Sequence, residues 1–174
     1  DLLDTTAPSS GVLSGLNAYY NSNATVTISA DGASFMKVWT NQNANGSTND
    51  SSFPSSWEPY GTSKTVSFSG QGAQYVHAQF MDEVGNISAI VNSASTIYDT
   101  VAPEVTAVSV NSGDGFTRVT GNTVRVSFSD ATSGVQYVTL AGDIADAEKI
   151  AYSVTDADRT AGYKDIAVTL QGAD

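Results

Sequence analysis

The sequence predicts an all-β chain of two consecutive β-sandwiches, and three observations carry that expectation. Asp4-Thr5-Thr6-Ala7-Pro8 returns as Asp99-Thr100-Val101-Ala102-Pro103, an offset of 95 residues (99 − 4), close to the roughly 100 residues of a small two-sheet domain. Between the copies, apolar and polar residues alternate in short runs, the period of a half-buried strand. The composition is 40% hydrophobic but only 14% charged, so Ser, Thr, Asn and Gly fill the polar surface, as suits strands and turns.

The first repeat is expected over residues 1–98, with 1–8 as a leading linker. Pro8 and Pro103 hold the residue before each in an extended conformation, and Asp4 is placed to make an Asx turn. A junction of this kind is stiffer than a Gly/Ser tether. Ala24–Ala30 alternates with Val26 and Ile28 inward, and Asp31-Gly32 turns the chain. Phe35–Trp39 is the next strand, with Met36 and Val38 on one face and Phe35, Lys37 and Trp39 on the other. Residues 41–56 read as a long polar loop around Phe53. Lys64–Ser69 places Val66 and Phe68 inward, and Gln74–Phe80 places Val76, Ala78 and Phe80 inward with Tyr75, His77 and Gln79 outward. Val84-Gly85-Asn86 then makes a hairpin into a last strand running to Tyr98.

The second repeat, 99–174, follows the same plan. Val108 and Val110 open it; Thr123–Phe128 and Val135–Leu140 match the first two alternating strands; Lys164–Gly172 matches Lys64–Gly70. No counterpart of Tyr75–Tyr98 follows. Its last two strands are therefore expected from polypeptide beyond Asp174 or from another chain, because a sandwich without them exposes a sheet edge and part of its core.

The net charge is −11 and is spread over both repeats, without a basic cluster. That argues against a nucleic-acid partner and against an anionic membrane surface. No apolar run approaches the length of a membrane span. Cysteine is absent, so no disulfide holds either repeat; this suits a protein exported by, or assembled outside, a bacterium better than a small extracellular eukaryotic domain. The four Asn-x-Ser/Thr sites at Asn23, Asn45, Asn49 and Asn86 are expected by chance in such a composition.

Three stretches together resemble the tandem immunoglobulin-like (fibronectin-III-like) repeats of bacterial surface adhesins and phage virion proteins. They are the paired Asp-Thr-x-Ala-Pro segments, Ser56-Trp57-Glu58-Pro59-Tyr60 with Lys64-Thr65, and Val76–Ser88 with its Phe80-Met81-Asp82 and Gly85-Asn86-Ile87-Ser88. The resemblance implies a non-enzymatic stalk, display or attachment module on a bacterial cell surface or virion exterior. Its implied partners are neighbouring repeats, other surface or virion subunits, and a host surface or glycan. A carbohydrate-binding module is the alternative and a glycoside-active enzyme a third reading, since the fold alone does not choose among them.

The candidate sites follow from this. Related adhesin repeats bind Ca²⁺ at their junctions, so Asp99 with Asp82, Glu83 or Asp130 is a candidate calcium cluster; Ca²⁺ takes six to eight oxygens, several of them carboxylate. Glu104 and Asp114 are further candidates, and Asp156-Ala157-Asp158 is a chelating pair or a solvated loop. The competing reading of Asp82 is a carboxylate that caps its turn. Phe53, Trp57 and Tyr60, with Trp39, are candidates for a glycan-stacking face, Phe53 being the exposed one and one Trp belonging to the core. His77 is the sole histidine and no nucleophile motif accompanies it, so catalysis is not expected. Lys37 and Lys64 at outward positions argue against an internal Lys–Asn crosslink to Asn86.

Overall fold

The structure, a computed structural model, describes residues 3–113 and 119–171. It is all-β apart from short helical turns and divides into two compact units, Asp1–Thr100 and Val101–Asp174.

In the first unit, β1 (Ser9–Ser14), β3 (Ala24–Asp31) and β6 (Ser63–Val66) form an antiparallel sheet in the order β1-β3-β6. A second sheet runs β2-β9-β7-β4-β5, from β2 (Tyr19–Tyr20), β9 (Thr96–Tyr98), β7 (Gly72–Met81), β4 (Phe35–Asn41) and β5 (Glu58–Pro59), with β8 (Val91–Asn92) also on β7. Among the described residues, only β2 and β9 pair in parallel. The alternation in β3 buries Ala24, Val26 and Ile28 and exposes the residues between them, as a strand with one covered face requires. These side chains share a core with Met36 and Val38 of β4, Val66 and Phe68, and Val76, Ala78 and Phe80 of β7. The last strand expected to run unbroken to Tyr98 is instead split into a bridge between Met81 and Ile87 and the short β8 and β9. Asp4 makes its Asx turn, accepting from the Thr6 N–H at 2.9 Å.

In the second unit, β10 (Glu104–Val110), β11 (Gly121–Ser129) and β14 (Tyr163–Thr169) pair antiparallel in the order β10-β11-β14. β12 (Tyr137–Thr139) and β13 (Ala151–Ser153) form a separate hairpin pair. The core collects Val124, Val126 and Phe128 from β11, Ile166 and Val168 from β14, and Val135, Val138, Ile144 and Val154.

The β3–β6 and β11–β14 pairings share one register. Val26 lies opposite Lys64 and Ala24 opposite Val66; one hundred residues further on, Val126 lies opposite Lys164 and Val124 opposite Ile166. The ion pairs repeat as well, with Lys64 on Glu58 and Lys164 on Asp158 at 2.9 Å.

Asp156-Ala157-Asp158, expected as a chelating pair or a loop, instead opens the one α-helix among the described residues, α1 (Asp156–Ala161). Thr155 caps it: its hydroxyl accepts from the Asp158 N–H while the Asp158 carboxylate accepts from the Thr155 N–H, a reciprocal capping box. The helix stops at Gly162, whose φ of 75° suits a residue without Cβ. The Thr155 backbone N–H, the Lys164 ammonium and the Thr155 hydroxyl hold the Asp158 carboxyl down at about 2, against an ordinary 3.8. A folded value below the unfolded one means that Asp158 contributes its stabilisation fully above about pH 4 and loses it as the pH falls towards 2. Asp158→Asn is therefore expected to flatten the loss of second-unit stability between pH 4 and pH 2, measured by acid titration of thermal unfolding. An unchanged slope contradicts this assignment.

Candidate functional site

A connected polar network lies on the outer face of the β4–β7 pair, away from the first core. Trp39 and His77 stand opposite each other across the two strands, with ring centroids 5.4 Å apart, and Lys37 shares the same face two residues away. The alternation in the sequence places Lys37 and His77 on the outward face of their strands. They do point away from the core, but the structure buries both, with His77 0% exposed. The reason is the loop after β4, which folds back over this face. Gly46 lies directly above the imidazole, so close that a Cβ there would stand 2.6 Å from His77 Cγ.

Asp50 holds that loop down. One carboxylate oxygen, Oδ2, accepts from the Trp39 indole N–H at 2.9 Å, the Asn41 amide at 2.8 Å and the Ser47 backbone N–H at 2.8 Å. The Ser47 and Trp39 donors lead the influences that keep the Asp50 carboxyl below its usual value, against the opposing effect of burial. His77 completes the network: Nδ1 lies 2.7 Å from Asn92 Oδ1 and Nε2 lies 2.9 Å from Asn41 Oδ1. With both ring nitrogens engaged and no exposed surface, the imidazole ties β7 to the end of β4 and to β8 beneath the loop and offers no free atom to a substrate.

The aromatic candidates are drawn into the same packing. Phe53, expected as the exposed contact, is half-buried and meets Trp39 edge-on at 4.9 Å and 82°. The Lys37 ammonium sits 4.4 Å from the Phe53 ring centroid and 5.1 Å from that of Trp57, a desolvated cation held by ring faces. Those are the faces a sugar would stack on. Tyr60 turns the other way: its ring packs on Phe80 at 6.1 Å and its hydroxyl accepts from the Ala30 N–H at 3.1 Å. It belongs to the first core and shares no surface with Phe53 and Trp57.

The candidate calcium residues are also dispersed. Asp82 and Glu83 follow the last residue of β7, whereas Asp99 follows Tyr98, which pairs with Gly72 at the start of β7. Ten residues of strand, about 30 Å at roughly 3.3 Å per residue, separate them, so Asp82 and Asp99 do not share one ion. Asp130 belongs to the second unit, and Asp114 lies outside the described residues. Among the described residues no three His, Cys, Asp or Glu side chains gather as a metal site.

Asp82 and Asp130 organise turns instead. Asp82 Oδ1 accepts from the backbone N–H groups of Val84, Gly85 and Asn86 at 2.8 to 3.0 Å, and Oδ2 accepts from the Asn86 amide. Burial pushes the Asp82 carboxyl up, but these bonds from Asn86, Gly85 and Val84 outweigh it and leave the group below its usual value. Asp130 Oδ1 accepts in the same way from Thr132, Ser133 and Gly134 at 2.9 to 3.0 Å.

No family model, curated protein or solved structure matches this chain. Among the described residues, no helix is long and apolar enough to cross a membrane.

The loop-on-sheet arrangement makes a prediction. Both tryptophans of the chain lie in the first unit, so indole fluorescence reports on that unit alone. Gly46→Ala must displace either the loop or the imidazole, and overpacking of this kind costs about 1–3 kcal/mol. The fluorescence-detected urea midpoint is expected to fall accordingly, with red-shifted emission as Trp39 meets water. A midpoint equal to that of the parent chain contradicts the close approach.

Proposed function

We propose that the chain is a non-enzymatic structural module of two tandem immunoglobulin-like sandwiches, displayed outside a bacterial cell or on a virion and serving there as a stalk or attachment element. The observation that carries this reading is the shared register of β3–β6 and β11–β14. Two domains of one plan, reused along a chain, suit spacing and display better than a single catalytic centre. The fate of the reactive side chains supports it. The sole histidine lies beneath the 42–57 loop, the loop aspartate and the stacked aromatics are spent on fixing it, and the turn aspartates are satisfied by backbone donors. A surface low in charged residues and a chain without cysteine suit export without an oxidative folding step. The second reading, a carbohydrate-binding module, would require a saccharide to displace the Lys37 ammonium from the Phe53 and Trp57 rings.

Antibodies raised against the chain test the location. They are expected to label intact, unpermeabilised cells or intact particles of the source by immunogold microscopy. Labelling only after permeabilisation or particle disruption contradicts the display role.

A further inference from the structure

The second unit carries an open apolar groove between β10–β11 and β12, and we propose that it accepts an extended polypeptide segment as an additional antiparallel strand on β12. Two observations converge on that groove. Its wall and floor are apolar: Val126, Phe128, Val135 and Val138 lie beneath, while Val105, Val108 and Tyr137 stand 62%, 61% and 61% exposed at its sides. Large apolar side chains that open to water together mark a surface built to be covered. Next, β12 has β13 on one edge and, among the described residues, no strand on the other. A row of unpaired backbone donors and acceptors beside an apolar groove is the arrangement that takes up a strand.

The occupant is indicated by the first unit. There β4 has β5 on one edge and is paired along its whole length with β7 on the other. β7 buries Gln74, Val76, Ala78 and Phe80 at alternate positions, closing the first core. With β3–β6 and β11–β14 in one register, β12 takes the place of β4 and the groove takes the place that β7 fills. The segment that fits is therefore extended, with small or apolar side chains at every second residue, running antiparallel to β12. Charge narrows it further. Among the described residues, the one charged side chain lining the groove is Glu104, and the chain as a whole carries −11, so a neutral or basic strand is accepted and another acidic face is not. β7 itself meets that condition, with no acidic residue between Gly72 and Met81. The choice of occupant rests on the reading of the two units as repeats; the groove and the free edge do not.

The test titrates the full chain with a peptide of the Gly72–Met81 sequence, extended by two lysines at each end for solubility. Binding is followed by calorimetry and by residue-resolved amide hydrogen exchange. Saturable one-to-one binding is expected, with new protection at the Tyr137 and Thr139 amides. A peptide of the same composition with its alternation scrambled should bind about tenfold or more weakly. Val108→Asp, a change at an exposed position, should weaken binding of the native-order peptide by a similar factor. Equal binding of the scrambled peptide, or protection confined to Phe35–Asn41 of β4, overturns the proposal. So does protection of β12 in the absence of peptide that grows with protein concentration, since that assigns the groove to a second copy. Failure of the surface-labelling experiment with peptide binding intact removes the display role and leaves the strand acceptor standing.

Discussion

Val26 stands opposite Lys64, and that phase decides what the first unit can be. A strand turns alternate side chains to opposite faces, so a slip of one residue between β3 and β6 would turn Ala24, Val26 and Ile28 into water and Thr25 and Thr27 into the core. β4 and β7 supply the facing half of that core, and the outer face of the same two strands carries Trp39, His77 and Lys37. The polar network is thus a consequence of the core's phase. Once Met36, Val38, Val76 and Ala78 point inward, the residues between them must point to the side the loop covers. The second unit repeats the constraint with Val126 opposite Lys164, and its outer positions are filled by an ion pair, Arg125 to Asp165 at 2.7 Å, where the first unit places Thr25 against Thr65.

The chain holds its loops without disulfides, and carboxylates do that work. Asp82 and Asp130 each gather three backbone donors from one short turn, and Asp50 gathers Trp39 and Asn41 of β4 with the Ser47 N–H of the loop. Asp158 holds a helix start, accepting from the Thr155 N–H and hydroxyl and from the Lys164 ammonium of β14. Charge-assisted bonds to backbone N–H groups are among the stronger hydrogen bonds available to a protein. An ionised carboxylate has enough lone pairs to anchor a whole turn. The acidity that suggested divalent cations in the sequence thus has an internal use at these four positions.

The β-rich class, the alternating strands and the turn at Asp82 were legible because each is a local pattern. Alternation of Val and Thr in β3, or of Val, Arg and Val in β11, states its own geometry. The outer face of β4 and β7 was not legible in the same way. Period two says which residues leave the core, but it does not say whether a second layer receives them, and a loop sixteen residues long can lie anywhere. A signal was present: the Trp39 ring gains by leaving water, and the loop that follows it carries Phe53 to pack on it and Asp50 to accept from its indole N–H. The helix α1 was missed for a different reason. Its capping residues, Thr155 and Asp158, and its terminator, Gly162, were in plain sight, but six residues give too short a run for helical periodicity to show. Tyr60 was assigned to the loop's aromatic group by proximity in sequence, whereas β5 rotates it across the sheet onto Phe80.

β3–β6 and β11–β14 are paired in one register, and engineered cysteines test this most directly because the chain has none of its own. Thr25→Cys with Thr65→Cys, and separately Arg125→Cys with Asp165→Cys, place thiols at directly opposed positions, within the Cα separation of about 4.4–6.8 Å that a disulfide spans. Under mild oxidation both pairs are expected to crosslink rapidly and nearly completely, while the slipped pairs 25/66 and 125/166 remain reduced. Preferential crosslinking of the slipped pair in either unit would contradict the shared register and the account built on it.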